Sequence, residues 1–283
     1  MTSTSFASFG VAAVLTLMTL PCRGQSSVED SSVPEVIEDG GLSAELQYWM
    51  TVGAPKLRAG HTSTATEPAN FDFPGRAKGG PGIELGIPAG KGNTLRFSFF
   101  RTQGAADTTA TSNVDLLSVG YAPGDLLVTR YKMQNMKLSW EYLSYTFASS
   151  KIRFKTLYEV QYTSFDTSID APLKVISTDS SGNAVSNTGT GGKSLVYPTF
   201  GVGFEQALSP RFRWEAKTSG FGLPHLPAQW EEEASAAIRF GHVEVLVGER
   251  LFMIKTSPRT DMFFEQMVPG AYLGVRYYQG RSR

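Results

Sequence analysis

Cysteine is almost missing from this chain: 283 residues carry one, Cys22. Long apolar runs are also absent. No stretch of eighteen or more apolar residues occurs, which excludes a helical membrane span. Charge of either sign is scarce at 18%, and it is balanced, 26 basic against 26 acidic residues. With no excess and no long Lys/Arg run, the chain lacks the phosphate-neutralising charge of a nucleic-acid binder, so no nucleic-acid partner is expected. Aromatics at 12% and apolar residues at 41% argue against disorder. The length suits one large domain or two small ones.

The one substantial apolar run is short, VAAVLTLMTL over residues 11–20, followed by Pro21-Cys22-Arg23-Gly24-Gln25. Cys22 and Gly24 place small residues at positions −3 and −1 of a cut before Gln25, which reads as a secretory signal peptide over residues 1–24. The preceding MTSTSFASFG has no Lys or Arg, and a buried helix of the mature fold is the competing reading. Cleavage there leaves a mature chain without cysteine, so an exported protein must be held by hydrogen bonds and packing rather than disulfides. Residues 25–41 then read as a flexible acidic periplasmic leader, and residues 42–283 as the folded domain. A structured cap or plug is the alternative for the leader.

From residue 42 the dominant signal has period two. Leu46, Tyr48 and Met50 alternate with Glu45, Gln47, Trp49 and Thr51. The same holds for Ile83–Ile87, Leu95–Phe99, Leu138–Tyr142, Phe212–Lys217, Val243–Val247 and Ala271–Tyr277. The longest run sets Ile152, Phe154, Thr156, Tyr158, Val160 and Tyr162 against Arg153, Lys155, Leu157, Glu159, Gln161 and Thr163. Successive side chains of a strand face opposite ways, so each segment has one apolar and one polar face. A half-buried sheet of a soluble exported protein, such as a lipocalin-like binder, gives the same pattern. Here the polar face carries both signs of charge, the apolar face is rich in aromatics, and no segment reads as a helix able to cover it.

Connector lengths discriminate further. Short ones (Ala89–Asn93, Ala148–Lys151, Leu208–Arg211, Gly241-His242) alternate with long ones near 53–79, 104–127, 168–193, 220–231 and 256–267. Outer-membrane barrels have this asymmetry, with tight periplasmic turns and long extracellular loops. Ten strands follow, about 43–52, 80–88, 94–103, 128–147, 151–166, 194–207, 211–219, 232–240, 243–255 and 268–279. Twelve result if Val114–Tyr121 and Leu126–Tyr131 are two further spans rather than a loop and the start of one long strand.

The chain resembles the Gram-negative outer-membrane β-barrel class over residues 42–283. The resemblance rests on the alternation, the loop asymmetry and the C-terminal segment GAYLGVRYY (270–278), similar to the assembly signal of such proteins. Gln279–Arg283 extend past the aromatics and depart from that pattern. What the resemblance implies is an all-β, closed antiparallel transmembrane β-barrel in the cell outer membrane. Outer-membrane lipid and, through the last strand, the barrel-insertion machinery would be its partners.

Chemistry-bearing motifs are few. Gly201-Val202-Gly203-Phe204-Glu205-Gln206 lacks the third glycine of a dinucleotide fingerprint and is followed by no helix. It reads as small residues facing a crowded interior. Gly86 to Asn93 resembles a phosphate loop with the spacing one short and Asn for Ser/Thr, and reads as a turn. His61 with Ser63, and His225 with Glu231 to Glu233, are the only pairings that could serve a rim enzyme. No catalytic residue, cofactor or metal site is assigned. The residues expected to line the interior are Arg96, Glu141, Arg153, Lys155, Glu159, Arg213, Glu215, Lys217, Glu244 and Arg276. In so narrow a barrel they either neutralise one another in a filled structural core or line a narrow diffusion path for small solutes. Trp49, Tyr145, Trp230 and Tyr278 are candidates for interfacial girdles or for packing within loops.

Overall fold

The structure, a computed structural model, describes residues 41–52, 56–59, 70–72, 78–90, 92–117, 119–147, 152–174, 181–182, 186–222, 227–256 and 262–279. Among them every regular element is a strand: β1 Leu42–Thr51, β2 Lys56–Ala59, β3 Asn70–Asp72, β4 Gly80–Pro88, β5 Thr94–Thr109, β6 Val114–Leu116, β7 Val119–Tyr121, β8 Leu126–Phe147, β9 Ile152–Asp170, β10 Thr188–Ala207, β11 Phe212–Gly222, β12 Ala228–Phe240, β13 Val243–Lys255 and β14 Met262–Gln279. The signal-peptide and leader readings, His61, Ser63, His225 and Gly280–Arg283 lie outside the described residues.

The sheet runs β1-β4-β5-β8-β9-β10-β11-β12-β13-β14, and β14 pairs back onto β1 from Leu42↔Gln279 to Thr51↔Gly270. Ten strands therefore close into an antiparallel barrel in which sequence neighbours are spatial neighbours. Closure gives each of the ten strands a neighbour on both sides, the condition for a sheet to span lipid. The twelve-strand alternative is not adopted. Leu126–Tyr131 is the first part of the 22-residue β8, while β6 and β7 form a separate two-stranded hairpin.

The outward face carries Leu46, Tyr48, Leu138, Trp140, Tyr158, Val160, Phe200, Val245, Val247, Leu273 and Val275, all exposed. Their sequence neighbours Glu45, Gln47, Ser139, Glu141, Glu159, Thr199, Glu244 and Arg276 are buried. An apolar outside around a polar inside inverts the soluble arrangement and is stable when the exterior solvent is hydrocarbon.

Turn chemistry follows the same logic. Between β4 and β5, Gly90 and Gly92 sit at φ +82° and +81°, with the Ala89 amide bonded to the Asn93 carbonyl at 2.9 Å. Gly241, at φ +63°, turns β12 directly into β13. The opposite, extracellular rim is taller than the sequence suggests. β5 continues to Thr109, β9 to Asp170, and β10 begins at Thr188 inside the polar segment read as loop. A span needs only about 9–11 tilted residues, so β8, β9 and β10, at 22, 19 and 20 residues, rise beyond it.

Candidate functional site: the barrel interior

Inward-facing positions of the periplasmic half carry an ion-pair lattice. Arg276 on β14 binds Glu45 of β1 through Nε at 2.8 Å and Nη2 at 2.7 Å. It also lies 3.2 Å from Glu215, 3.5 Å from Glu84 and 3.7 Å from Glu244. Arg96 on β5 donates from Nε to Glu141 at 2.7 Å and bonds Glu84 through Nη1. Lys155 and Lys217 also reach Glu141, at 3.2 and 3.0 Å, so this carboxylate collects three cations. Arg213 bonds Glu244 at 2.7 Å, and Arg153 holds Glu205 with both carboxylate oxygens at 3.0–3.1 Å.

Above this layer Lys137 bonds Glu231 at 2.7 Å, and Arg250 bonds Glu233 at 2.7 Å. The Tyr272 hydroxyl donates to Glu233 at 2.7 Å. Next comes an amide and hydroxyl network. Asn135 donates to Thr163 at 2.8 Å, Gln229 to Gln161, and Thr199 to Glu159 at 2.9 Å. Burial without partners would cost several kcal/mol per ion. The lattice meets that demand by placing opposite charges on facing strands.

All ten interior charges expected from the sequence point inward and enter this network. Sequence reasoning missed Glu45, Glu84, Lys137, Glu205, Glu231, Glu233 and Arg250. Glu45 and Lys137 stand on the polar face of alternating runs, and Arg250 extends the parity of Glu244. Glu231 and Glu233, first paired with His225 as a possible rim base, are instead engaged by Lys137 and Arg250. Gly201 confirms its expected role, since a Cβ there would collide with the Thr218 carbonyl and Ser219.

The four girdle candidates divide. Trp49 and Tyr278 are not girdle residues: both are interior, at 1% and 4% exposure. Strand parity puts Trp49 on the face of Gln47 and Glu45, and Tyr278 on that of Arg276. Tyr145 and Trp230 do face outward. Nor is the interior polar throughout. In its extracellular half Trp49, Phe100, Phe252, Met133, Phe165, Ile254 and Val268 form a continuous buried apolar cluster. Phe100 stacks edge-on to both Trp49 and Phe252 with centroids 5.1 Å apart. Arg250 lies 5.4 Å below the Phe100 ring and joins the charged and apolar layers. The β6–β7 hairpin adds Leu116, Val119 and Tyr121 to the cluster's top, and the Tyr121 hydroxyl donates to the Ile169 carbonyl at 3.0 Å.

A closed ten-strand antiparallel ring with an apolar exterior and a charged, hydrogen-bonded interior is an integral β-barrel of the Gram-negative outer membrane. The fold has a counterpart among solved structures. The outer-membrane protease OmpT from Escherichia coli matches with a TM-score of 0.55 at 9% identity, over 85% of this chain and 97% of that chain. The translocator domain of the autotransporter NalP from Neisseria meningitidis matches with a TM-score of 0.42 at 11% identity, over 84% and 88%. At 9% identity the likeness to the protease structure is one of fold. No protein-family model and no curated protein matches the sequence.

Proposed function

We propose that this chain is a non-conducting structural barrel of the outer membrane, whose interior serves stability and whose outer wall and extracellular rim carry its interactions. The observation behind this reading is the filled interior. Carboxylates and cations on facing strands neutralise one another across the periplasmic half, and aromatic packing occupies the half above. Between them the void lined by Lys137, Leu157, Glu159, Lys217, Ser219, Glu231 and Glu233 measures about 10 Å³. That is at the lower limit of the space one water molecule needs.

Purified protein reconstituted in a planar bilayer should give no conductance steps above the lipid background. Discrete steps would overturn the closed reading in favour of a narrow diffusion path. The reading includes no catalytic role, and hydrolysis of peptide or lipid substrates by the purified barrel would refute that part separately. The last strand pairs with both β13 and β1 and so completes the ring. This supports engagement of the insertion machinery through GAYLGVRYY, which should fail to insert when residues 270–279 are deleted.

A further inference from the structure

The outward face of the wall β5–β8–β9 changes character at one level. Going up β5, Leu95, Phe97 and Phe99 give way to Arg101 and Gln103. On β8, Trp140, Leu138 and Met136 give way to Gln134, Lys132 and Arg130. On β9, Tyr158, Val160 and Tyr162 give way to Ser164, Asp166 and Ser168. The registers Gln103↔Lys132 and Lys132↔Asp166 set these polar positions side by side. Lys78 joins from the adjacent segment, its amide bonded to the Gln103 carbonyl at 2.7 Å.

Here the wall is hollowed into a cavity of about 340 Å³, lined among others by Lys78, Gln103, Arg130, Lys132, Asp166 and Ser168. Arg101 stands one outward position below and donates to the Gln103 side chain at 2.7 Å. Three cations and one carboxylate thus line the cavity, with Arg101 a fourth cation beside it, immediately above the hydrocarbon-facing band. On β10 the outward positions in register with Asp166 and Ser168 are the uncharged Gly192 and Thr190, while on the far wall Lys255 of β13 stands across from Glu265 of β14.

We propose that this cavity binds the phosphate group of an outer-leaflet lipid headgroup. Lys78, Arg101, Arg130 and Lys132 supply the positive charge, Gln103 and Ser168 neutral hydrogen bonds, and the apolar band below receives the acyl chains. The position argues for a lipid rather than a free anion. The site opens sideways at the height where headgroups sit, and basic pockets at that depth recognise headgroup phosphate. Its net charge is positive despite Asp166, opposite in sign to the charge of a phosphate monoester.

The test uses the full chain folded in neutral detergent, with a diphosphorylated acylated glucosamine disaccharide as probe. Bound lipid is counted by native mass spectrometry. The parent should retain one molecule, and the triple variant Lys78→Gln, Arg130→Gln, Lys132→Gln should bind at least tenfold more weakly. Lys255→Gln, on the far wall, should leave binding unchanged. The dephosphorylated disaccharide should bind at least tenfold more weakly than the probe, and millimolar inorganic phosphate should not displace it. Retained heat-modifiable gel mobility shows that each variant is folded. Binding by the triple variant within twofold of the parent, or equal binding of the dephosphorylated lipid, overturns the proposal. Displacement by free phosphate overturns its assignment to a lipid.

Discussion

Removing Arg276 tests the interior lattice most sharply, because its partners differ in what they have left without it. Glu84 keeps Arg96; Glu215 keeps Arg213 and Lys217; Glu244 keeps Arg213. Among the described residues Glu45, 3% exposed, is paired with Arg276 alone. Arg276→Met preserves bulk and strands one buried carboxylate, which should cost about 3–5 kcal/mol. With a urea slope of about 2 kcal/mol per molar, the unfolding midpoint should fall by about 2 M. The measurement is urea titration of the protein in lipid vesicles, with the folded fraction read from heat-modifiable gel mobility. Glu45→Leu alone should cost about 1 kcal/mol, because Arg276 still faces three acids and a lone lost bond is modest. The double variant should recover much of the single-variant loss, since no charge is then left unpaired. A midpoint shift below about 0.5 M for Arg276→Met would refute the lattice as the source of interior stability. So would a double variant whose loss equals the sum of the two singles.

Two contrasts probe the rest of the wall. Leu273 is exposed on β14 beside Val247 of β13, and Leu273→Arg should destabilise the barrel by about 2–4 kcal/mol, as cations on a lipid face do near the bilayer midplane. An unchanged urea midpoint in vesicles would show that this face does not meet hydrocarbon. Gly201 and Gly203 both face inward on β10, but a Cβ at Gly203 meets nothing nearer than 3.6 Å, whereas one at Gly201 meets backbone. Gly201→Ala should therefore cost about 1–3 kcal/mol through overpacking and Gly203→Ala almost nothing. Equal midpoints for the two variants would contradict the interior geometry.

Strand number was legible in the alternation of short and long connectors, and the inward placement of the ten charges in strand parity, which is local. Val243 to Val247 states which face is which without knowledge of any other strand. Strand ends were less legible. Thr188–Ser194 is polar and glycine-rich, yet it pairs with Asp170–Ser164 of β9 as a continuous ladder. Above the bilayer neither face needs to be apolar, so the alternation that marks a span disappears while the hydrogen bonds continue. Glu205 was missed because Gly201 and Gly203 blank out the inward positions beside it. Glu231 and Glu233 were missed because Glu232 between them makes both faces acidic. Trp49 shows the remaining blind spot: an aromatic near a strand end fits a lipid girdle by composition, and only parity with Glu45 assigns it to the interior.

One outward residue runs against the pattern that organises the molecule. Glu249 is exposed on the lipid face of β13, two residues beyond Val247 and two before Leu251, with Ala234 and Ala271 as its register partners. Those alanines are too short to screen it. An outward acid within a hydrocarbon band is unfavourable, though less so than a cation, whose cost there is about 2–4 kcal/mol. Glu249→Leu should therefore stabilise the barrel in phosphatidylcholine vesicles, by about 1–2 kcal/mol on the same scale, while leaving its stability in detergent micelles nearly unchanged. The vesicle-specific gain is the discriminating result. Interior repacking would move both media alike, and a residue above the hydrocarbon would move neither. If Glu249→Leu lowers the midpoint in vesicles, the acid contributes stability where the exterior reading says it subtracts, and the placement of the lipid band on β13 fails.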